Sequence, residues 1–249
     1  MLTFAPTIDS QTTRLALWAH RTGFKEQDRI FGWVSLLTLL HGGYGRLPLV
    51  FGRGARLSGS YAVAQWLDRH SPAGSPLIPL EQPLGQRVEA DFALYNQVLG
   101  SNVAIVAYDH LLPQRRLMIE SFGAPVTALG RRVMPVLYGP LHWLFSTLLG
   151  LTPPRVQDAG LRIEALLDWT DRRVADGRLY FHGDRITLAD IGLMGALAPL
   201  VLPDSYSKHL PPLEKLPPNF RCTVGRTRDR PSGRFVLRLY ELLGERAAV

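Results

Sequence analysis

The chain has 249 residues, an ordinary apolar and charged content, and a formal net charge of +7 with a pI near 9.9, enough length for one large domain or two modest ones. The segment from Lys208 to Val249 holds nine Lys/Arg against four Asp/Glu, and so carries +5 of that charge; without an aromatic-interleaved basic run or zinc-finger spacing, this reads as a solvated basic surface and not as nucleic-acid recognition. Cys222 is the only cysteine, which excludes an intrachain disulfide framework and thiolate metal clusters and fits a reducing compartment.

Leu2 to Ala5 is a short strand candidate closed by Pro6, too brief for the apolar core of a secretion signal. Asp9-Ser10-Gln11-Thr12-Thr13 then leads into Arg14, Leu15, Leu17 and Trp18, an apolar helical face opening on a capping residue, with Asp9 or Ser10 as the expected N-cap. Lys25 to Ile30 is a second strand candidate, and Trp33 to Leu40 an apolar helix or wall; His41 beyond it reads as structural. Leu47, Leu49 and Phe51 alternate around Val50 as a mostly buried strand. Pro48 at its head marks a strand start, an edge position or a special turn, a cis Leu47-Pro48 bond being one candidate. Gly52-Arg53-Gly54 supplies turn chemistry for a hairpin back through Ala55-Arg56-Leu57. Ser58-Gly59-Ser60 starts a helix carrying Ala62, Val63, Trp66 and Leu67 at helical spacing, a place where an anion can sit on free backbone N–H groups.

Ser71 to Pro83 is rich in proline and small residues and reads as a domain boundary. Beyond it the periodicity turns helical: Val88, Phe92, Tyr95, Val98 and Leu99, and later Leu161, Leu166, Leu167 and Trp169. Tyr108 and His110 follow the first of these runs; Arg115 and Arg116 read as surface charge. Val133 to Leu151 contains no Asp, Glu, Lys or Arg and approaches membrane-spanning length. Pro135, Pro140, Gly139 and Gly150 are expected to break it into shorter buried helices, so membrane contact is not the expectation, and a peripheral membrane protein using this segment is the alternative kept open. Thr187 and Asp190 stand in capping-box relation, with Ile186 and Ile191 at hydrophobic-staple positions, ahead of the apolar run Leu188 to Leu197. Prolines at 203, 211, 212, 217, 218 and 231 suggest an extended wrap, followed by a last helix over Phe235 to Leu243.

Two of these stretches resemble one family. The run Leu47-Pro48-Leu49-Val50, a glycine turn, Leu57-Ser58-Gly59-Ser60 and an Ala62-Val63-x-x-Trp66-Leu67 helix looks like the third and fourth strands and following helix of the thioredoxin-like domain of cytosolic glutathione transferases. Gly183-Asp184-x-x-Thr187-x-Ala189-Asp190-Ile191 is similar to the capping motif of that family's C-terminal domain. Together they make the resemblance run from Leu2 to about Leu202.

The resemblance implies an α/β thioredoxin-like domain over residues 1–75, a linker at 76–83 and an all-α domain over 84–249. It implies a cytoplasmic homodimer that uses glutathione as co-substrate without a metal, in a detoxifying transfer of the thiolate to a small hydrophobic electrophile. In serine-type members a hydroxyl in the first strand-to-helix turn stabilises the thiolate; Ser10 is the first candidate here, with Thr7 and Thr12 behind it. Lowering a thiol pKa from about 8.5 to about 6.5 takes ~2.7 kcal/mol, which one hydrogen bond to a charged sulfur, worth roughly 1.5–3 kcal/mol, nearly supplies. Leu47, before Pro48, would align the cysteinyl part through its backbone, and Gly59-Ser60 would hold the γ-glutamyl end. The family places an acid before that serine. Gly59 stands there instead, so an acid from elsewhere, or from another subunit, has to serve. Tyr108 is the candidate wall of the acceptor site. The same resemblance allows a non-catalytic binding or carrier protein on this fold.

Overall fold

The computed structural model describes residues 1–3, 7–28, 47–52, 54–71, 75–123, 128–204 and 211–247. The expectations for Trp33 to Leu40 and for His41 lie outside them, as do the ends of the first two strand candidates.

Four short strands form one sheet in the order β2-β1-β3-β4. Strands β1 (Leu2–Thr3) and β2 (Gln27–Asp28) run parallel, β1 and β3 (Leu49–Gly52) antiparallel. The β3–β4 hairpin pairs Leu49 with Ser58 and Gly52 with Ala55 of β4 (Ala55–Ser58), as the glycine turn predicts. Leu49 is buried, but Phe51, expected on the same inward face, is exposed under the Arg56 guanidinium; the strand leaves the core before it reaches the turn. The Leu47-Pro48 bond is cis.

Helix α1 (Ile8–Ala19) and helix α2 (Ser60–His70) pack on one another, and α2 packs on β4. The N-cap of α1 is Thr7, not Asp9 or Ser10, because its hydroxyl accepts the Ser10 N–H. That moves Asp9 and Ser10 inside the first turn. At the end of α2, Asp68 accepts from the Leu77 and Ile78 N–H groups and meets His20 Nε2 at 2.9 Å, fixing the chain as it leaves for the helices beyond.

The remaining described elements are helical. Helix α3 (Leu84–Ala93) passes through a π-helical turn (Leu94–Leu99) into α4 (Gly100–Leu111). Val88, Phe92, Tyr95 and Leu99 are buried there; Val98 stands outside. Helices α5 (Arg115–Gly123), α6 (Ala128–Leu149) and α7 (Pro153–Val174) follow. The inner face of α7 is Ala159, Ile163, Leu167, Thr170 and Val174, so Leu161, two residues off that ridge, points to solvent.

Helix α6 departs from expectation: Pro135 and Pro140 lie inside one 22-residue helix. An interior proline costs a helix about 3 kcal/mol. Met134, Tyr138 and Phe145 bury one face along its length, the Tyr138 hydroxyl donates to the Leu112 carbonyl, and Arg115 donates to the Pro135 carbonyl at 2.9 Å. Tertiary packing holds what local propensity would interrupt.

Helix α8 (Leu188–Val201) is buried at every position and is the axis of the helical region. An all-round apolar helix of this length has no solvent face. Gly195 admits α1: a Cβ there would stand 2.2 Å from Thr12 Oγ1. Two of the prolines after Leu202 do not belong to an extended wrap. Pro218 and Pro231 begin helices α9 (Pro218–Asp229) and α10 (Pro231–Ala247), where their missing N–H groups have no helical partner to lose. Helix α10 packs beneath α1 and α8: Tyr240 donates to the Met194 carbonyl at 3.0 Å and accepts from Gln11 Nε2 at 3.2 Å.

Candidate functional site

Three helix segments converge where the sheet region meets the helical one: the first turn of α1, the first turn of α2 and the π-helical turn. Helix α2 begins after Gly59, whose φ of 84° and ψ of 153° belong to a region essentially restricted to glycine. Its N–H donates to the Pro48 carbonyl at 3.0 Å, tying the helix start to the cis peptide. An acid at position 59 would be strained, and Gly59 offers α2 no side-chain cap.

A carboxylate nevertheless reaches Ser60. Asp9, half-buried in the first turn of α1, accepts from Ser60 Oγ at 2.6 Å and from Asn96 Nδ2 at 2.8 Å, both on Oδ1. Asn96 Oδ1 in turn accepts from Thr12 Oγ1 at 2.9 Å. The π-helical turn carries Asn96 to α1, a use such turns often serve. Asp9 is thus held through a single oxygen by two neutral donors from two other helices. Two helix N-termini lie beside it, which favours negative charge there.

The hydroxyls of the α1 turn differ in access. Thr7 is half-buried, with Oγ1 2.6 Å from Ser10 Oγ. Ser10 is 0% exposed behind it. Thr12 is also fully buried, against Gly195, with its Oγ1 2.9 Å from the Ile8 carbonyl as well. Leu47 is half-buried and Pro48 buried at the head of β3. Tyr108, on α4, is half-buried and stacks on Phe145 of α6 with centroids 5.2 Å apart; His110 tilts against Phe220.

The structure thus brings Thr7, Ser10, Gly59 and Ser60 to neighbouring helix starts and places Tyr108 on α4. Sequence reasoning treated Asp9 only as a cap and missed Asn96. The adjacent amides Asn96 and Gln97 in an apolar helical run were the available signal. Among the described residues, no three His, Cys, Asp or Glu side chains cluster as metal ligands.

The contrasting cluster caps α8. Asp190 is fully buried and accepts from the Phe181 N–H at 2.7 Å, the Thr187 N–H at 2.8 Å and Thr187 Oγ1 at 2.8 Å. Burial pushes its carboxyl up to about 6 in spite of those donors.

Residues 153–221 match the family model for the glutathione S-transferase C-terminal domain. The whole chain superposes on solved glutathione S-transferases. That of Ceriporiopsis subvermispora, in complex with glutathione, is 18% identical with a TM-score of 0.61, over 98% of this chain and 92% of that one. That of Rhodospirillum rubrum is 16% identical with a TM-score of 0.59, over 95% and 90%. That of Methylobacterium radiotolerans, in complex with glutathione sulfonate, is 19% identical with a TM-score of 0.53, over 95% and 92%. No curated protein matches the chain by sequence. The chain has the glutathione S-transferase fold, a thioredoxin-like N-terminal part and an all-helical remainder. Within that fold, residues 153–221 carry the match to the family's C-terminal domain.

Proposed function

We propose that the chain binds glutathione where α1 and α2 begin and activates its thiol for attack on a small hydrophobic electrophile. The observation that carries this reading is the Asp9–Ser60 pair, 2.6 Å apart across two helices. Ser60 and the open N-terminus of α2 take the γ-glutamyl carboxylate, and Asp9 supplies the charge that the backbone at Gly59 does not allow there, holding the ammonium group. The Leu47 backbone, beside the cis proline, aligns the cysteinyl part.

Burial reorders the hydroxyl candidates. A thiolate reaches Thr7, so Thr7 is the donor to sulfur, and Ser10 behind it positions that hydroxyl through their 2.6 Å contact. Thr12 serves packing. The acceptor pocket lies between the two parts with Tyr108 in its wall, and the protein works as a cytoplasmic homodimer in detoxification. Relatives of this fold that hold glutathione or its sulfonate support the choice of ligand.

The test is calorimetric titration with glutathione beside a conjugation assay on an aryl halide. Wild type is expected to bind at millimolar glutathione or below, and Thr7→Ala to lose about 10- to 100-fold in turnover while still binding, the scale of one lost donor to developing charge. No binding at millimolar glutathione overturns the proposal. The full burial of Ser10 favours one other reading, a carrier without turnover; binding with no conjugation by the wild type would establish it.

A further inference from the structure

Helix α6 carries two apolar faces, and the proposed glutathione site accounts for neither. One is buried through Met134, Tyr138 and Phe145. Around the other side, at 100° per residue, Val133, Val136, Leu137, Pro140, Trp143, Leu144 and Leu148 fall within an arc of roughly 140°, with Thr147 their single polar neighbour. Val136 is 76% exposed, Trp143 68% and Leu148 60%. Isolated exposed apolar side chains are ordinary; a continuous stripe along a 22-residue helix marks an interaction surface.

The charges around the stripe identify its occupant. No Asp or Glu occurs between Glu120 and Asp158, whereas Arg132 and Arg155 are exposed at the two ends of the helix and Arg116 is exposed on α5, the helix packed against it. Self-association would bring these basic ends together with no acid on the segment to answer them, whether the helices pair parallel or antiparallel. An anionic lipid surface answers them all with one sign. No described helix is long and apolar enough to cross a membrane, so contact of this kind leaves the helix lying in the interface, with Trp143 at headgroup depth.

We propose that the outer face of α6 docks the protein onto an anionic lipid bilayer, Val136, Trp143 and Leu148 entering the apolar layer while Arg116 and Arg132 meet headgroups. This reverses the expectation from the sequence that its prolines would fragment the segment and bury it. The inference is independent of the glutathione site.

Flotation with vesicles of mixed phosphatidylcholine and phosphatidylglycerol, against phosphatidylcholine alone, tests it. Wild type is expected to float with the mixed vesicles, and less so at high salt. The variant Val136→Asp, Trp143→Asp, Leu148→Asp should lose about tenfold or more in partition. Arg116→Glu with Arg132→Glu should lose about fivefold or more per residue. Circular dichroism confirms that each variant is folded, and Trp143→Ser alone replaces the triple variant if that one is not. Wild type that stays unbound to mixed vesicles overturns the proposal, as does equal binding by the triple variant. So does a wild-type dimer, seen by sedimentation velocity, that the triple variant splits without any vesicle binding in either form; the face would then be a self-interface.

Discussion

Two hydroxyl–carboxylate pairs stand at helix starts in this molecule, and they do opposite work. Thr187 and Asp190 are three residues apart, fully buried, and their carboxylate takes three donors from the same stretch of chain. Ser60 and Asp9 are 51 residues apart, and Asp9 is only half-buried, with one oxygen engaged by Ser60 and Asn96. A pair closed on itself stabilises a fold. A pair assembled across helices with an outward oxygen is suited to a ligand. Sequence separation and burial thus set the two pairs apart, and the proposed site rests on the second.

The sharpest way to break this contrast is to remove each carboxylate in turn. Asp190→Ala leaves the buried Phe181 and Thr187 N–H groups without an acceptor, at about 1–3 kcal/mol each. It should lower stability by roughly 3 kcal/mol and Tm by about 6–12 °C, read by thermal and urea unfolding. Glutathione affinity of the folded fraction should not change.

The same residue makes stability depend on pH. Asp190 titrates at about 6 when folded, against an ordinary 3.8, so folding takes up a proton between those values. The stability contributed by that protonation is complete below about pH 4 and is lost as the pH rises through 6. The stability gap between wild type and Asp190→Ala should therefore be wider near pH 4 than near pH 7, by up to about 3 kcal/mol. Urea midpoints at the two pH values give it, and an unchanged gap would show that burial leaves the carboxyl at its ordinary value.

Asp9→Ala should do the reverse of Asp190→Ala. Glutathione binding is expected to weaken about tenfold or more, the scale of one charge-assisted hydrogen bond, roughly 1.5–3 kcal/mol. Stability should fall by less than about 1 kcal/mol. A variant that unfolds as readily as Asp190→Ala would make Asp9 a structural cap and cancel the comparison. The smallest effect is expected of Ser10→Ala: if Ser10 only positions Thr7, turnover falls several-fold, less than in Thr7→Ala, with KM for glutathione unchanged.

The legibility of these regions follows the same division. The α8 cap and the β3–β4 hairpin were plain in the sequence, because their partners lie within a few residues and follow local rules. The cis proline and the start of α2 at Ser60 were also within reach of local chemistry. Asp9 opposite Ser60 was not, since nothing in either segment encodes their meeting; α1 is brought there by the close approach of Thr12 to Gly195, and the π-helical turn adds Asn96. Helix α6 failed for the converse reason. Local rules on proline were applied to a segment whose buried face at Met134, Tyr138 and Phe145 overrides them.

By itself, then, the sequence determined a glycine-turned hairpin leading into a helix, an all-helical remainder, and hydroxyls near two helix starts, because period, turn chemistry and capping act over short range. The tertiary structure decided which hydroxyl of the α1 turn stays accessible, which acid stands beside Ser60, and which face of α6 remains outside. Those depend on how separate helices pack, and close packing is a property of the whole chain.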